Sequence, residues 1–175
     1  MRLQRYNEAS ASAPTSVSSR MVSEERDLQL SDVVSSLLYV SRSTVPASGL
    51  AKELADIQYT SLARNSECDL TGVLIATPVF FAQILEGPIG SLTGVMRSIR
   101  ADARHVEIDE DGPNGLEGRS FRHWSMACFG PDSFTSRQIE PAIMRCHGSM
   151  SPRKAVELIS FIKTIIPAGK QPSTF

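Results

Sequence analysis

"LTGVLIATPVFFAQILEGP", residues 70–88, is the stretch whose reading decides the fold. It holds two apolar runs, 70–77 and 79–87, divided by Thr77-Pro78. Short apolar runs rich in Val, Ile and Phe and broken by a proline predict two strands joined by a hairpin. The second run reads as a buried strand, yet one long amide, Gln83, stands inside it. A buried amide left unpaired costs about 1–3 kcal/mol. Gln83 therefore lies on a solvated face, or something inside the fold satisfies it.

Working outward, "VVSSLLYVSRS" (33–43) is rich in β-formers and predicts a first strand carrying Tyr39 and Ser41. "GLAKELADIQYTSLARNSE" (49–67) places Leu50, Leu54, Ile57, Ser61 and Leu62 at helical spacing and ends near Asn65. Pro88 stands at the start of a second helix, "IGSLTGVMRSIRAD" (89–102), with Leu92, Val95, Met96 and Ile99 on one face. "HVEI" (105–108) predicts a short strand, "DEDGPNGLEG" (109–118) a polar loop, and "HWSMACF" (123–129) a last strand bearing Trp124 and Met126. The order β-α-β-β-α-β plus one strand is the ferredoxin-like α+β pattern, a sheet with two helices on one face. Two C-terminal helices follow, roughly 134–146 and 152–166. The second opens with Ser151 as N-cap and Pro152 at its first position, and Val156, Ile159, Ile162, Lys163 and Ile166 are read as its apolar stripe.

Composition sets bounds. The 175 residues, 41% hydrophobic, suit one domain with a core. The net charge of −1 offers no nucleic-acid stripe. No apolar run reaches the roughly 18 residues of a membrane span. Cys68, Cys128 and Cys146 lack metal-site spacing and read as free thiols of a cytoplasmic protein. Residues 1–31 are Ser/Ala-rich without an aliphatic stripe or a secretory apolar core, and are expected to be a disordered tail.

Catalysis finds little support. His105, His123 and His147 are far apart, and no GxSxG, HExxH or P-loop occurs. Asp109, Glu110 and Asp111 read as part of a solvated loop rather than a cation site. No metal and no enzyme activity is expected. Taken singly, Tyr39, Asn65, Gln83, Trp124 and Met126 are ordinary packing or surface residues. Together they mean more: in this topology the first and third strands are neighbours beneath both helices, so Tyr39 and Gln83 can meet in the cleft between the helices and imply a polar ligand edge.

"LLYVSRS", "ARNSECDLTGVLIA", "FFAQILEGP", "IRADARH" and "RSFRHWSM", in this order, resemble the BLUF family, sensors of blue light using FAD. The resemblance runs over about 35–130 and is specific through the joint spacing from Asn65 through Gln83 to Met126. It implies a sensor domain over 33–130 and a helical extension over 131–175, a short stand-alone type. It implies a flavin, FAD with other flavins possible, held non-covalently between the helices. Ile57 and Ile99 would lie on its faces, and Asn65 would bond its carbonyl edge. Gln83 would bridge it to Tyr39, with Trp124 and Met126 flanking and Ser41 nearby. Asp102, Arg104 and His105 would stand where the phosphate tail leaves. Arg64 departs from the histidine or asparagine common at its position and either reaches a flavin carbonyl or points to solvent. The hairpin tip "ATPV" (76–79) lacks the Asp-Gly often found there.

The function so implied is blue-light reception. An electron leaves Tyr39, its proton passes through Gln83, and the rearranged hydrogen bonds shift the spectrum slightly to the red. The signal is expected to leave through the last strand and the terminal helices to a downstream protein partner, in a homo-oligomer without nucleic acid or membrane. The competing reading is a non-photoactive flavin-binding or protein-interaction module of the same fold.

Overall fold

The computed structural model describes residues 34–131 and 134–166. The expected tail, 1–31, lies outside the described residues, as do the last nine residues of the C-terminal extension. Five strands and four helices are described: β1 Val34–Ser43, α1 Leu50–Glu67, β2 Thr71–Ala76, β3 Phe80–Pro88, α2 Ile89–Arg100, β4 His105–Gly115, β5 Ala127–Phe129, α3 Phe134–Cys146 and α4 Pro152–Ile165. The sheet order is β4-β1-β3-β2-β5, antiparallel except for the parallel β2–β5 pair. This is the ferredoxin-like α+β arrangement with a fifth strand at the β2 edge.

Every residue of β2, and all of β3 except Pro88, is buried. Helices cover both faces, which explains why 70–88 reads as continuous apolar runs instead of alternating ones. On one face, Leu37, Leu74, Phe81 and Leu85 pack under Leu50 and Leu54 of α1 and Leu92, Val95 and Met96 of α2. On the other, Leu38, Val40, Val73, Ile75, Ala82 and Ile84 pack under Ile139 and Ile143 of α3 and Leu158 and Ile162 of α4. The hairpin between β2 and β3 is closed by Thr77, whose N–H donates to Phe80 O at 2.8 Å and whose Oγ accepts from Phe80 N at 2.9 Å.

Three expectations are corrected. The segment 109–118 is strand rather than loop as far as Gly115, pairing along β1 with two register shifts. Its turn-forming residues serve the irregularities of an edge strand: Gly112 has φ +109°, and a Cβ there would sit 2.6 Å from Ser36 O. The last strand is shorter than 123–129. Trp124 N–H closes a turn onto Phe121 O at 2.9 Å, and ladder pairing begins only at Ala127. On α4 the buried stripe is Ala155, Leu158 and Ile162, with Ile166 just beyond the helix; Val156 is 62% exposed and Ile159 is only partly buried. The Ser151 cap stands, its Oγ accepting from Lys154 N at 3.4 Å with Pro152 following.

Candidate functional site

β1 and β3 pair so that Tyr39 lies directly opposite Gln83. Both point to the face covered by α1 and α2, and both are buried, 4% exposed each. Above them a cleft of about 150 Å³ opens between the two helices. Ile57 on α1 and Ile99 on α2 supply apolar walls, Asn65 closes one end, and Asp102, Arg104 and His105 line it beyond α2. All nine residues expected to touch a cofactor (Tyr39, Ile57, Arg64, Asn65, Gln83, Ile99, Asp102, Arg104 and His105) line this one cleft, with Met126.

The polar groups have definite partners. Gln83 Nε2 donates to Met126 Sδ at 3.5 Å, a weak bond. Asn65, 2% exposed, donates through Nδ2 to Ser125 O at 2.7 Å. Arg104 donates to both carboxylate oxygens of Asp102 and, at 3.4 Å, to Glu53 of α1. These hydrogen bonds hold the Asp102 carboxyl below the usual carboxylate range, against a smaller opposing effect of burial. Arg64, at the exposed rim, donates to Ser98 Oγ at 2.8 Å and so joins α1 to α2 across the cleft. His105 Nε2 lies 2.8 Å from Ile99 O, which can only accept, so this nitrogen carries a proton. In the neutral ring Nδ1 then accepts from Ser41 Oγ at 2.7 Å. The ring sits 5.8 Å from that of Tyr39. Burial, seconded by the Asp102 charge, pushes the Tyr39 phenol well above its ordinary value, so Tyr39 keeps its proton at neutral pH. Cys128 lies in the same cluster, where burial pushes its thiol up to about 12, so it stays protonated at neutral pH.

Two expected residues stand apart from the cleft. Trp124 packs on the opposite sheet face, stacked on Phe121 with ring centroids 6.0 Å apart. Its neighbours differ because the chain turns at 121–124 and does not run straight as a strand. Ser41 is fully buried behind His105. Thr60, Ser61 and Ser98 also line the cleft, beyond the residues expected there. The first two were legible as the i+3 and i+4 neighbours of Ile57; Ser98 had no signal of its own.

This arrangement suits a flat heteroaromatic ring: apolar side chains for its faces, two primary amides and a phenol for its polar edge, and a guanidinium toward a solvated tail. The chain matches, over residues 34–127, the family described as BLUF, sensors of blue-light using FAD. The chain belongs to the BLUF family. It is 38% identical over 109 residues to photoactivated adenylate cyclase subunit alpha of Euglena gracilis, a match over 61% of this chain and 10% of that protein. It is 36% identical over 85 residues to the subunit alpha-like protein FB of the same organism, covering 49% and 8% of the two chains. It thus spans about a tenth of the length of the curated relatives it matches. Among solved structures, the BLUF protein BlrB in its dark state superposes with TM-score 0.64 at 29% identity, over 78% of this chain and 99% of that one. The photo-activated state of BlsA superposes with TM-score 0.63 at 22% identity, over 81% and 99%, a likeness of fold alone. The BLUF cofactor, FAD, fits the donor set of the cleft: its residues offer the flat walls and amide edge that such a ring needs.

Proposed function

We propose that the chain is a blue-light receptor that holds FAD non-covalently in the α1–α2 cleft and uses Tyr39 and Gln83 as its switch. One observation carries this reading: the cross-strand Tyr39–Gln83 pair, buried at the floor of a cleft walled by Ile57 and Ile99. Asn65 holds the carbonyl edge of the ring, and the Asp102–Arg104 pair and His105 stand at its tail. FAD, when bound, supplies light absorption and the oxidising power of the excited state. Tyr39 would give up an electron while its phenolic proton passes through the Gln83 amide beside it, and both would return to Tyr39. When charge returns to Tyr39, the Gln83 side chain is left turned, with its donor and acceptor exchanged. Met126 then loses or changes the weak bond it accepts from Gln83 Nε2, so the change is felt on the segment leading into β5.

The sensor is proposed to span 33–130, with 131–175 as its output extension, and to have no enzymatic activity of its own. Its signal passes to a protein partner; the adenylyl cyclase and BlrP1 structures whose folds it shares in part suggest an effector. A cytoplasmic homo-oligomer is proposed. No helix among the described residues is long and apolar enough to cross a membrane. The test is spectroscopic. The purified protein should be yellow, and blue light should shift its flavin band reversibly to the red. Tyr39→Phe should keep the flavin and abolish the shift. A colourless protein, or a Tyr39→Phe variant that cycles like the parent, would refute the reading.

A further inference from the structure

The connection from β4 to β5 must cross the whole sheet, because these strands occupy its two edges. It runs along one end, where β1 and β2 begin and β3 ends. Leu116 N donates to Val34 O at 2.8 Å, and Trp124 O accepts from Gly72 N at 2.9 Å. In between, the crossing is held by β3. Glu86, fully buried, accepts through one carboxylate oxygen from Ser120 N at 2.8 Å and from Phe121 N at 2.9 Å. Its other oxygen, Oε1, is buried with no hydrogen-bond partner among the described residues. Arg119 fastens the same segment from outside, donating to Glu86 O at 3.1 Å and to Asp69 O at 2.8 Å.

A fully buried carboxylate with one idle oxygen is costly, so what the other oxygen holds must compensate. It holds the start of the turn that stacks Phe121 on Trp124. Directly after this turn come Ser125, whose carbonyl accepts from Asn65, and Met126, whose sulfur accepts from Gln83. Glu86 points to the α3–α4 face, as its register with Ile84 and Ala82 requires, while Gln83 points into the cleft. The strand β3 thus addresses the crossing segment twice, from opposite faces of the sheet.

We infer that Glu86 is a positioning residue: by clamping the 120 and 121 amides it fixes where Ser125 and Met126 present their acceptors to Asn65 and Gln83, and so sets the resting state of the switch. The inference rests on the proposed light response. Three variants of the flavin-loaded protein test it, each read by the light-minus-dark spectrum, the dark-recovery rate and amide hydrogen exchange across 116–126. Glu86→Gln keeps an acceptor oxygen and should recover within about twofold of the parent. Glu86→Leu keeps the bulk and removes the acceptor. It should change the recovery rate by at least about tenfold, the scale set by losing hydrogen bonds to a charged group, and speed exchange as far as Met126. Ser120→Pro deletes one clamped N–H and leaves the carboxylate in place. It should move both readouts in the same direction as Glu86→Leu. A folded Glu86→Leu protein with the parent's recovery and exchange overturns the inference. If that variant does not fold, Ser120→Pro decides: parent-like recovery and exchange overturn the inference, and altered ones support it. A parent protein that binds flavin without any light response sinks the proposed function instead; exchange across 116–126 then still tests the clamp.

Discussion

Tyr39 combines two properties that its proposed role as light-driven donor needs: a phenol that keeps its proton, and an amide, Gln83, directly across the strand pair. Burial supplies the first and strand register the second. Asn65 shows a different economy. Its Nδ2 is already satisfied by Ser125 O, so Asn65→Ala should both weaken flavin retention and leave that carbonyl unpaired. The expected loss is about 1–3 kcal/mol, roughly 5- to 150-fold in flavin dissociation constant; equal retention on desalting the variant and the parent would contradict it. Asp102 carries the pH dependence of the tail end. Its folded carboxyl is depressed, so its contribution is present above the unfolded value of about 3.9 and is lost as pH falls through the lower folded value. The Asp102–Arg104 pair should therefore be intact at neutral pH and released only in acid. The melting-temperature gap between the parent and Asp102→Asn, worth about 1 kcal/mol for so partly exposed a pair, should begin to narrow below about pH 4 and close once pH passes the lower folded value.

At the scale of elements, β2 and β3 run close together at Gly72. A Cβ there would lie 2.2 Å from Ile84 O, so Gly72→Ala must push these two strands apart. The variant should lose about 2 kcal/mol or more on denaturant unfolding, by overpacking against backbone that has nowhere to go. The terminal helix offers a contrast. Leu158 is buried against the sheet, whereas Val156 faces outward. Leu158→Ala should cost about 2–5 kcal/mol, and Val156→Ala no more than about 0.5 kcal/mol. Similar losses for both would mean that α4 is turned about its axis.

For the molecule as a whole, the sheet separates two cores: one shared with the cleft helices, the other with α3 and α4. Removing residues 131–175 would strip the cover from Leu38, Val40, Val73, Ile75 and Ile84. That exposes a contiguous apolar face larger than soluble monomers tolerate. The truncated chain should aggregate or dimerise through this face, as light scattering and size-exclusion chromatography would show. A monodisperse, cooperatively melting monomer would show that the extension is dispensable for the fold. The same architecture puts the Tyr39–Gln83 pair and the terminal helices on opposite sides of one sheet. The segment 116–126 touches both cores, with Trp124 on the α3–α4 side and Met126 on the cleft side.

Element order and the central hairpin were legible in local signals: apolar runs, helical spacing, and proline and serine at helix starts. The meeting of Tyr39 and Gln83 followed from the strand order, and the other cleft residues were given only by the resemblance to the BLUF family. Three things were not legible. The strand character of 109–115 comes from pairing with β1, which overrides the turn propensity of Gly112, Pro113 and Asn114. Which side of α4 is buried depends on where the sheet lies, and Val156 and Leu158 are equally apolar on paper. Trp124 and Met126, two residues apart, would share a face in a straight strand. Only the turn closed by Trp124 N and Phe121 O, clamped beneath Glu86, sends one to each side of the sheet. A local pattern fixes period and breaks; facing is settled by backbone hydrogen bonds to distant strands, and these exist only once the sheet has formed.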